Sequence, residues 1–596
     1  MKIRTRLRVF RLLLIPPLVL ATVSTAPLGG VAGAGAAPVG KSLHLAALQG
    51  SSDPDEDMQH IQDLINLANS IRENLGPDGE NKLSSGGLQF VTLGDRADSL
   101  TKAMEGRLAS NPLEPEDFIS RQAGNTQSET GVGWCDDNAI IGFNDSGSFV
   151  LTMLGPPTSP SLSFSFSFNG WSLSTDAGEK FKDKGTLVSD PLPAGVRFRD
   201  LLGDPVIGCT DSSTFYYASL AEDTLFVPHV FLSGISVSKS VDGGGSFGGA
   251  VMASSKNAFF HFLDKPWMAV NRSGGSDIIH VTYTDFDFSL TSCGRTGPPF
   301  NRIIPRTAIE YVRSTNGGAT WSSPLVIDQV CGFIPFVQGS HVAVGQGNDV
   351  HVAWESYPTG QGGGATRQIK VRKSTNAGAS FGPTVLVSSV TPVGSGVRVQ
   401  GRFRNFLDFQ GLAVDRSSEE TLGNVYITWQ DGRNLSQTDP FGGPGCSAGL
   451  PIRYCFGDIL LSRSTNGGAS WSPPVRVNDD PITLKVDQIM PAVEVDNEGK
   501  VFVFFYDRRN DPRNFLIDAF VAILDEDGTF KNKRVTKSSF AAIIGEDLVV
   551  NAAYMGDYIG IARDSTGRHN GVIMAWGDNS LGDPNIQFAK RGGHED

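Results

Sequence analysis

Two stretches of the chain place an arginine two positions after an aspartate, at Asp431-Gly-Arg433 and Asp507-Arg508-Arg509. A guanidinium offers paired N–H donors that match a carboxylate or another oxyanion. A carboxyl group beside it that keeps its proton can donate that proton to a leaving oxygen. Residues of the same types stand at Asp264-Lys265, Arg402, Arg404, Asp487 and Gly556-Asp557-Tyr558. Gathered around one depression, such a set would bind an anionic sugar with a carboxylic acid next to it. The competing role for the same pattern is structural, because an Asp-x-Arg repeated at equivalent positions also ties neighbouring loops together.

What would position these residues is a repeat. A β-type run ends in a polar marker at Asp145, Ser219, Asp285, Glu355, Asp431, Asp507 and Asp578, spaced 66 to 76 residues apart. A second element follows each of the first five markers, at Ser174–Phe181, Ser240–Phe247, Ser314–Trp321, Ser374–Phe381 and Ser464–Trp471. Each copy joins Ser, then Asp or Asn, then Gly, then an aromatic residue, and Asp525–Phe530 is a degenerate sixth. The physics is that of a fixed turn: the Asp or Asn side chain accepts backbone N–H bonds, and glycine supplies the positive φ. Seven near-equal β units predict small sheets repeated radially, since one such sheet cannot bury both of its faces alone.

The turn pattern resembles the Asp-box (BNR) repeat, S-x-[DN]-x-G-x-x-[WF], of the sialidase superfamily. The resemblance covers roughly residues 125–590 and implies an all-β Asp-box β-propeller of four-stranded blades, with seven favoured over six. It implies a sialidase-like glycoside hydrolase that removes a terminal, anionic sugar from extracellular glycans. In that family an arginine triad holds the substrate carboxylate, for which Arg404, Arg433 and Arg509 are the stand-ins. A tyrosine nucleophile and an aspartic acid/base accompany it, with Tyr558 or Tyr506 and Asp264 or Asp507 as the candidates. Arg508 and Asp431 complete the substrate-binding set. The family's F/Y-R-I-P motif is missing, and Arg302-Ile-Ile-Pro305 only approximates it. The alternative is a non-catalytic glycan- or protein-binding propeller at the cell surface or in the matrix. A polysaccharide lyase, which would need a base near a uronate α-proton, is a third reading.

With strands ordered A to D from the axis, the B–C loops and D-to-A crossovers share one face and the Asp boxes lie on the other. On that scheme Cys135 pairs with Cys209, Cys293 with Cys331, and Cys446 with Cys455. The last unit, from Gly556 to Arg591, lacks an Asp box, and a strand such as Leu88–Leu93 is available to complete it.

Other chemistries have less support. Gly35–Ser42 matches the P-loop letter for letter, but an alanine/glycine tail precedes it where a strand is required. Gly244–Gly248 and Gly378–Gly382 spell G-x-S-x-G inside β repeats, where the strand-to-helix turn of a nucleophile elbow has no place. No H-E-x-x-H or complete calcium loop occurs, and no cofactor is expected. Asp285-Phe-Asp287 offers two carboxylates that could chelate calcium. His280 and His351 occupy equivalent repeat positions and read as structural.

The N-terminus has a basic segment, an apolar run from Leu12 to Ala21 and a small-residue stretch, the order of a secretory leader. Cleavage is expected after Ala36, giving a signal peptide at 1–36, a helical extension at 37–124 and the propeller at 125–596. Within the extension, residues 53–75 and 98–108 read as helices. The formal charge is −13 and falls to near −18 without the leader's five basic residues, which argues against a nucleic-acid surface. With 70 Gly, 33 Pro and 19% charged residues, the composition excludes a coiled coil and a wholly disordered chain. The expected molecule is a secreted monomer without a membrane span, and its partner an extracellular glycan or glycoprotein.

Overall fold

The computed structural model describes residues 54–76, 82–92, 126–149, 165–225, 230–297, 301–358, 367–393, 409–417, 419–436, 454–542, 555–580 and 584–592. The leader, the 98–108 helix, Arg402, Arg404 and Cys446 lie outside them. Among the described residues, no helix is long and apolar enough to cross a membrane.

Seven antiparallel sheets follow one another along the chain and form a seven-bladed β-propeller. The third blade shows the plan, with His261–Ser273, Ser276–Asp287, Arg306–Ser314 and Leu325–Cys331 hydrogen-bonded in that order. All seven markers fall in second strands, among them Val350–Tyr357 in blade 4, Val425–Ser436 in blade 5 and Val501–Asp507 in blade 6.

These second strands are buried along almost their whole length because each is sandwiched between two neighbouring blades. In blade 6, Phe504 and Tyr506 pack with Met574 and Trp576 of blade 7. The alternate residues Val503 and Phe505 pack with Tyr426 and Leu461 of blade 5. The period of two sends successive side chains to opposite interfaces. Each fully buried Phe contributes about 2 to 3 kcal/mol.

The five serine-containing turns share one set of hydrogen bonds. In the first, the Gly178 N–H donates to Ser174 Oγ at 2.9 Å, and the Lys180 N–H donates to Asp176 Oδ1 at 3.0 Å. Asn466 and Ser464 repeat this in the fifth, with Gly468 N–H to Ser464 Oγ at 2.8 Å and Ser470 N–H to Asn466 Oδ1 at 2.9 Å. The glycine seats the turn against the preceding blade. At Gly378, φ is +76° and a Cβ would lie 1.7 Å from the Tyr311 hydroxyl, so only glycine fits.

Blade 7 holds three strands, Gly560–Arg563, Val572–Asp578 and Asn585–Arg591. No N-terminal strand completes it. Residues 88–91 of the strand expected at Leu88–Leu93 belong instead to a helix, Ser85–Val91, because Ser84 caps it by accepting the Gly87 N–H at 3.2 Å. Phe90 of that helix stacks on Phe262 of blade 3. The ring closes through blade 1 (first strand Gln127–Cys135), where the Thr130 hydroxyl donates to Ala575 O at 2.7 Å and accepts the Gly560 N–H at 2.8 Å.

The extension's first helix runs Pro54–Leu75, as the pattern predicts, and buries Leu64, Ile65, Ala68, Ile71 and Leu75. His60 fixes it to blade 2, stacking on Phe198 at 4.0 Å with Nε2 3.2 Å from Asp200 Oδ2. Two of the expected disulfides are present, Cys135–Cys209 between the innermost strands of blades 1 and 2, and Cys293–Cys331 on the opposite face.

Candidate functional site

The innermost strands surround a central channel, and at its upper mouth, on the face of the crossovers, their backbone departs from regular β geometry. The register slips between Ser128 and Gly131, Asp264 and Trp267, Gln338 and His341, and Ile489 and Ala492. Each slip is a bulge whose first extra residue is left-handed: Glu129 at φ 53°, Lys265 at 50°, Gly339 at 68° and Met490 at 53°. Asp204, at φ 56°, and Gly556, at φ 83°, extend the series to blades 2 and 7. Non-glycine residues adopt this conformation at a cost of about 1 kcal/mol or more. Bulges of this kind re-aim side chains and recur beside functional sites.

The side chains so aimed form one cluster. Lys265 lies on the channel wall yet is only 2% exposed. Its Nζ sits 3.5 Å from the ring centre of Tyr558, 4.7 Å from that of Trp267 and 5.3 Å from that of Phe409. It makes no hydrogen bond. Burial pulls its ammonium below the usual lysine value, opposed by the negative charge of Asp204, Glu129, Asp557 and Asp264. Glu129 shows the converse effect: burial first, then Asp204 and Asp557, hold its carboxyl well above the ordinary range. Its Oε1 accepts the Asp557 N–H at 2.8 Å and its Oε2 accepts Asn144 Nδ2 at 2.7 Å. Gly556 admits this approach, since a Cβ there would meet Glu129 Cγ at 2.6 Å. His341 stacks on Trp267 at 3.9 Å, and burial together with Lys265 pushes its imidazole down to about 3, so the ring is neutral. The mouth therefore holds a lysine in an aromatic cage, one carboxyl whose burial favours its neutral form, and further carboxyl groups beside it.

Of the residues expected from sequence, Tyr558 is brought to the channel wall. Asp264 lies just behind it, where Oδ2 accepts the Ser84 N–H at 2.6 Å and Gln338 Nε2 at 2.8 Å. Its carboxyl is pushed up to about 7, chiefly by burial and then by Asp204. The other described residues lie in ties between and within blades. Arg433 Nη2 is 2.6 Å from Asp431 Oδ2 and also donates to Ser388 Oγ and Ser389 O of the blade 4 outer strand. Arg509 repeats the arrangement with Asp507 at 2.7 Å, and reaches Asp479 and Asn532 Oδ1, the latter at 2.8 Å. Arg508 is buried, its Nη1 3.6 Å from Asp487 Oδ2 and donating to Asn514 O. The Tyr506 hydroxyl donates to Gly577 O at 2.8 Å inside the blade 6–7 interface. The structure does not gather Arg433, Arg508 and Arg509 around one pocket; each is held by a different set of partners.

Sequence reasoning passed over Glu129 and gave Lys265 no role of its own. The readable signal was a proline breaking an innermost strand, at Pro266 and Pro491, which a strand accommodates only at a bulge or an edge. A buried tyrosine–glutamate pair also went unseen. Tyr357 Oη donates to Glu355 Oε2 over a short distance, and the Arg367 guanidinium lies 5.1 Å from the Tyr357 ring centre. Burial pushes the Glu355 carboxyl up to about 7 and the Tyr357 phenol well above its usual value. The pair shares a strand at i and i+2, and Tyr357 packs with Phe336 and Phe409.

The expected calcium chelators, Asp285 and Asp287, lie close to His261. Their oxygens are engaged by Lys256 Nζ at 2.7 Å and by Arg306 at 2.9 and 3.2 Å. His280 and His351 sit in structural bonds, His280 Nδ1 2.6 Å from Tyr311 Oη of the neighbouring strand and His351 Nε2 3.2 Å from Gly467 O in the turn of the next blade.

No family model and no curated protein matches the chain. Solved structures do. An alpha-L-arabinanase of Penicillium chrysogenum complexed with arabinobiose is 11% identical with a TM-score of 0.38, over 70% of this chain and 97% of its own. A PL25 ulvan lyase bound to -[GlcA(1-4)Rha3S]- is 11% identical with a TM-score of 0.41, over 80% and 96%. The alpha-L-arabinofuranosidase Arb93A of Fusarium graminearum is 10% identical with a TM-score of 0.37, over 64% and 92%. Likeness at this level carries no argument about activity, since one fold hosts many activities.

Proposed function

We propose that the chain is a secreted, sialidase-like glycoside hydrolase that removes a terminal, acidic sugar from extracellular glycans at the upper mouth of the channel. The observation that carries this reading is Lys265, a buried ammonium on the channel wall with no hydrogen bond of its own. A sugar carboxylate is the ligand that such a group lacks. In this mechanism Lys265 takes the role that the sequence suggested for an arginine triad. Tyr558, Trp267 and Phe409 provide apolar walls against which a sugar ring can pack. Asp557 lines the channel and stands beside Glu129, whose carboxyl is held well above the ordinary range by burial and by the neighbouring Asp204 and Asp557. These carboxyl groups supply an acid for the departing oxygen and an anion that stabilises the oxocarbenium-like transition state. The two disulfides fit an oxidising compartment.

The test is release of the fluorophore from 4-methylumbelliferyl sialoside, uronides and matched neutral glycosides. Cleavage of an acidic member, lowered about 100-fold or more by Asp557→Asn, is expected for loss of a carboxylate from the reacting set. No release from any substrate, or an unchanged rate in the variant, would overturn the reading. A non-catalytic glycan-binding role is favoured by one observation: the phenols of Tyr506 and Tyr357 are locked in buried bonds, which leaves them unactivated as nucleophiles. Saturable binding without turnover would assign that role.

A further inference from the structure

The lower end of the same channel carries a second concentration of charged groups. Arg416 follows the blade 5 innermost strand, Gly411–Val414, and Arg563 ends that of blade 7. Both line the channel there, together with Glu494, Ser565 and Trp134. Arg563 is held in place: its Nη1 donates to Asn497 Oδ1 and its Nε lies 3.9 Å from Glu494 Oε1. Arg416 has no such anchor and makes no hydrogen bond or ion pair among the described residues. Other arginines of this acidic chain are matched to carboxylates, as in Arg199–Asp223, Arg476–Asp458 and Arg534–Asp518. Two guanidinium groups thus share the field of one glutamate. Arg416 is exposed to the solvent of the channel, yet the surrounding wall and the charge of Arg563 pull it down to about 10. Burial raises the Glu494 carboxyl against the pull of both guanidinium groups.

We propose that the lower mouth of the channel is an oxyanion-binding site, in which Arg416 donates paired N–H bonds to a phosphate- or carboxylate-type ligand and Arg563 supplies the second positive charge. Asp415, adjacent to Arg416 in sequence, is buried and accepts the Ser417 N–H at 2.8 Å instead of pairing with that guanidinium, and Asp564, beside Arg563, is saturated by the backbone N–H groups of Asp136, Thr566, Arg568 and His569. A planar guanidinium without a partner is preorganised for such a ligand. The site is independent of the glycan chemistry proposed for the upper mouth and uses none of its residues.

The test is isothermal titration of the full-length protein with inorganic phosphate, and in a separate arm with acetate, at fixed ionic strength. Saturable, one-to-one binding of at least one of the two is expected, with Kd weakened at least tenfold in Arg416→Gln. That variant removes a hydrogen-bond-free side chain and should leave the fold intact, which an unchanged thermal unfolding midpoint without added anion would verify. Binding in neither arm, or equal Kd values in wild type and Arg416→Gln, would overturn the proposal. Asp557→Asn serves as the cross-check: it should leave anion affinity unchanged, so failure at one mouth is distinguishable from failure at the other.

Discussion

Replacing Asp264 by asparagine should change how stability depends on pH more than it changes the structure. The buried carboxyl accepts from the Ser84 N–H, Ser84 Oγ and Gln338 Nε2, and its value rises from 3.8 to about 7. The native state therefore keeps a proton that the unfolded chain releases above about pH 4. Stability from this group is fully present at acid pH and declines as pH rises from about 4 through about 7. At about 1.4 kcal/mol per pH unit, the whole decline amounts to about 4 kcal/mol. Asparagine retains an acceptor for the Ser84 N–H, and its amide can donate to Ser84 Oγ, so it mimics the neutral acid. Denaturant midpoints for wild type and Asp264→Asn, measured at half-unit steps from pH 4 to 8, should show the variant gaining relative to wild type as pH increases. A difference between the two proteins that stays constant across this range would refute the reasoning. Asp145 and Glu355, each pushed up to about 7 by burial, should add slopes of the same sign, so the whole protein is expected to be most stable on the acid side of neutrality.

Further outcomes follow from the packing. Gly378→Ala should lower the thermal midpoint much more than Gly318→Ala, because a Cβ at 378 meets the Tyr311 hydroxyl at 1.7 Å while the closest neighbour of one at 318 is Ile279 Cδ1 at 3.4 Å. Paired Cys135→Ser and Cys209→Ser changes open a 74-residue loop and should destabilise by about 4 kcal/mol on loop entropy alone, read by denaturant unfolding. Arg433→Ala and Arg509→Ala should each lower the thermal midpoint by a few degrees while leaving turnover unchanged, because both guanidinium groups brace outer strands. A raised KM in either variant would return these arginines to the binding site.

The frame was legible because it rests on local chemistry. Ser174-Thr-Asp176-Ala-Gly178 forms its turn from its own side chains, and Val503-Phe-Phe-Tyr506 is apolar because neighbouring blades cover both faces. The helix at 54–75 declared itself in the same way, through a stripe ending at Leu75. The site was less legible because it depends on where backbones slip. Nothing local marks Glu129 as the partner of Asp557, 428 residues away, or aims Lys265 at Tyr558. The Asp-x-Arg pattern fits either a shared clamp or ties between loops, and the structure places both pairs in ties, since each aspartate bonds its own arginine. The strand expected at Leu88–Leu93 lost to a helix because Ser84 and Asp264, 180 residues apart, provide its cap and anchor.

The most direct measurement compares calorimetric affinities of free sialic acid or glucuronic acid, and of a matched neutral sugar, for wild type and Lys265→Met. Methionine keeps the length and apolar stem of the side chain and removes only the ammonium. The account predicts that an acidic sugar binds wild type and loses tenfold or more in affinity in the variant, while any neutral-sugar binding is unaltered. Equal affinity of the two proteins for the acidic sugar would contradict it.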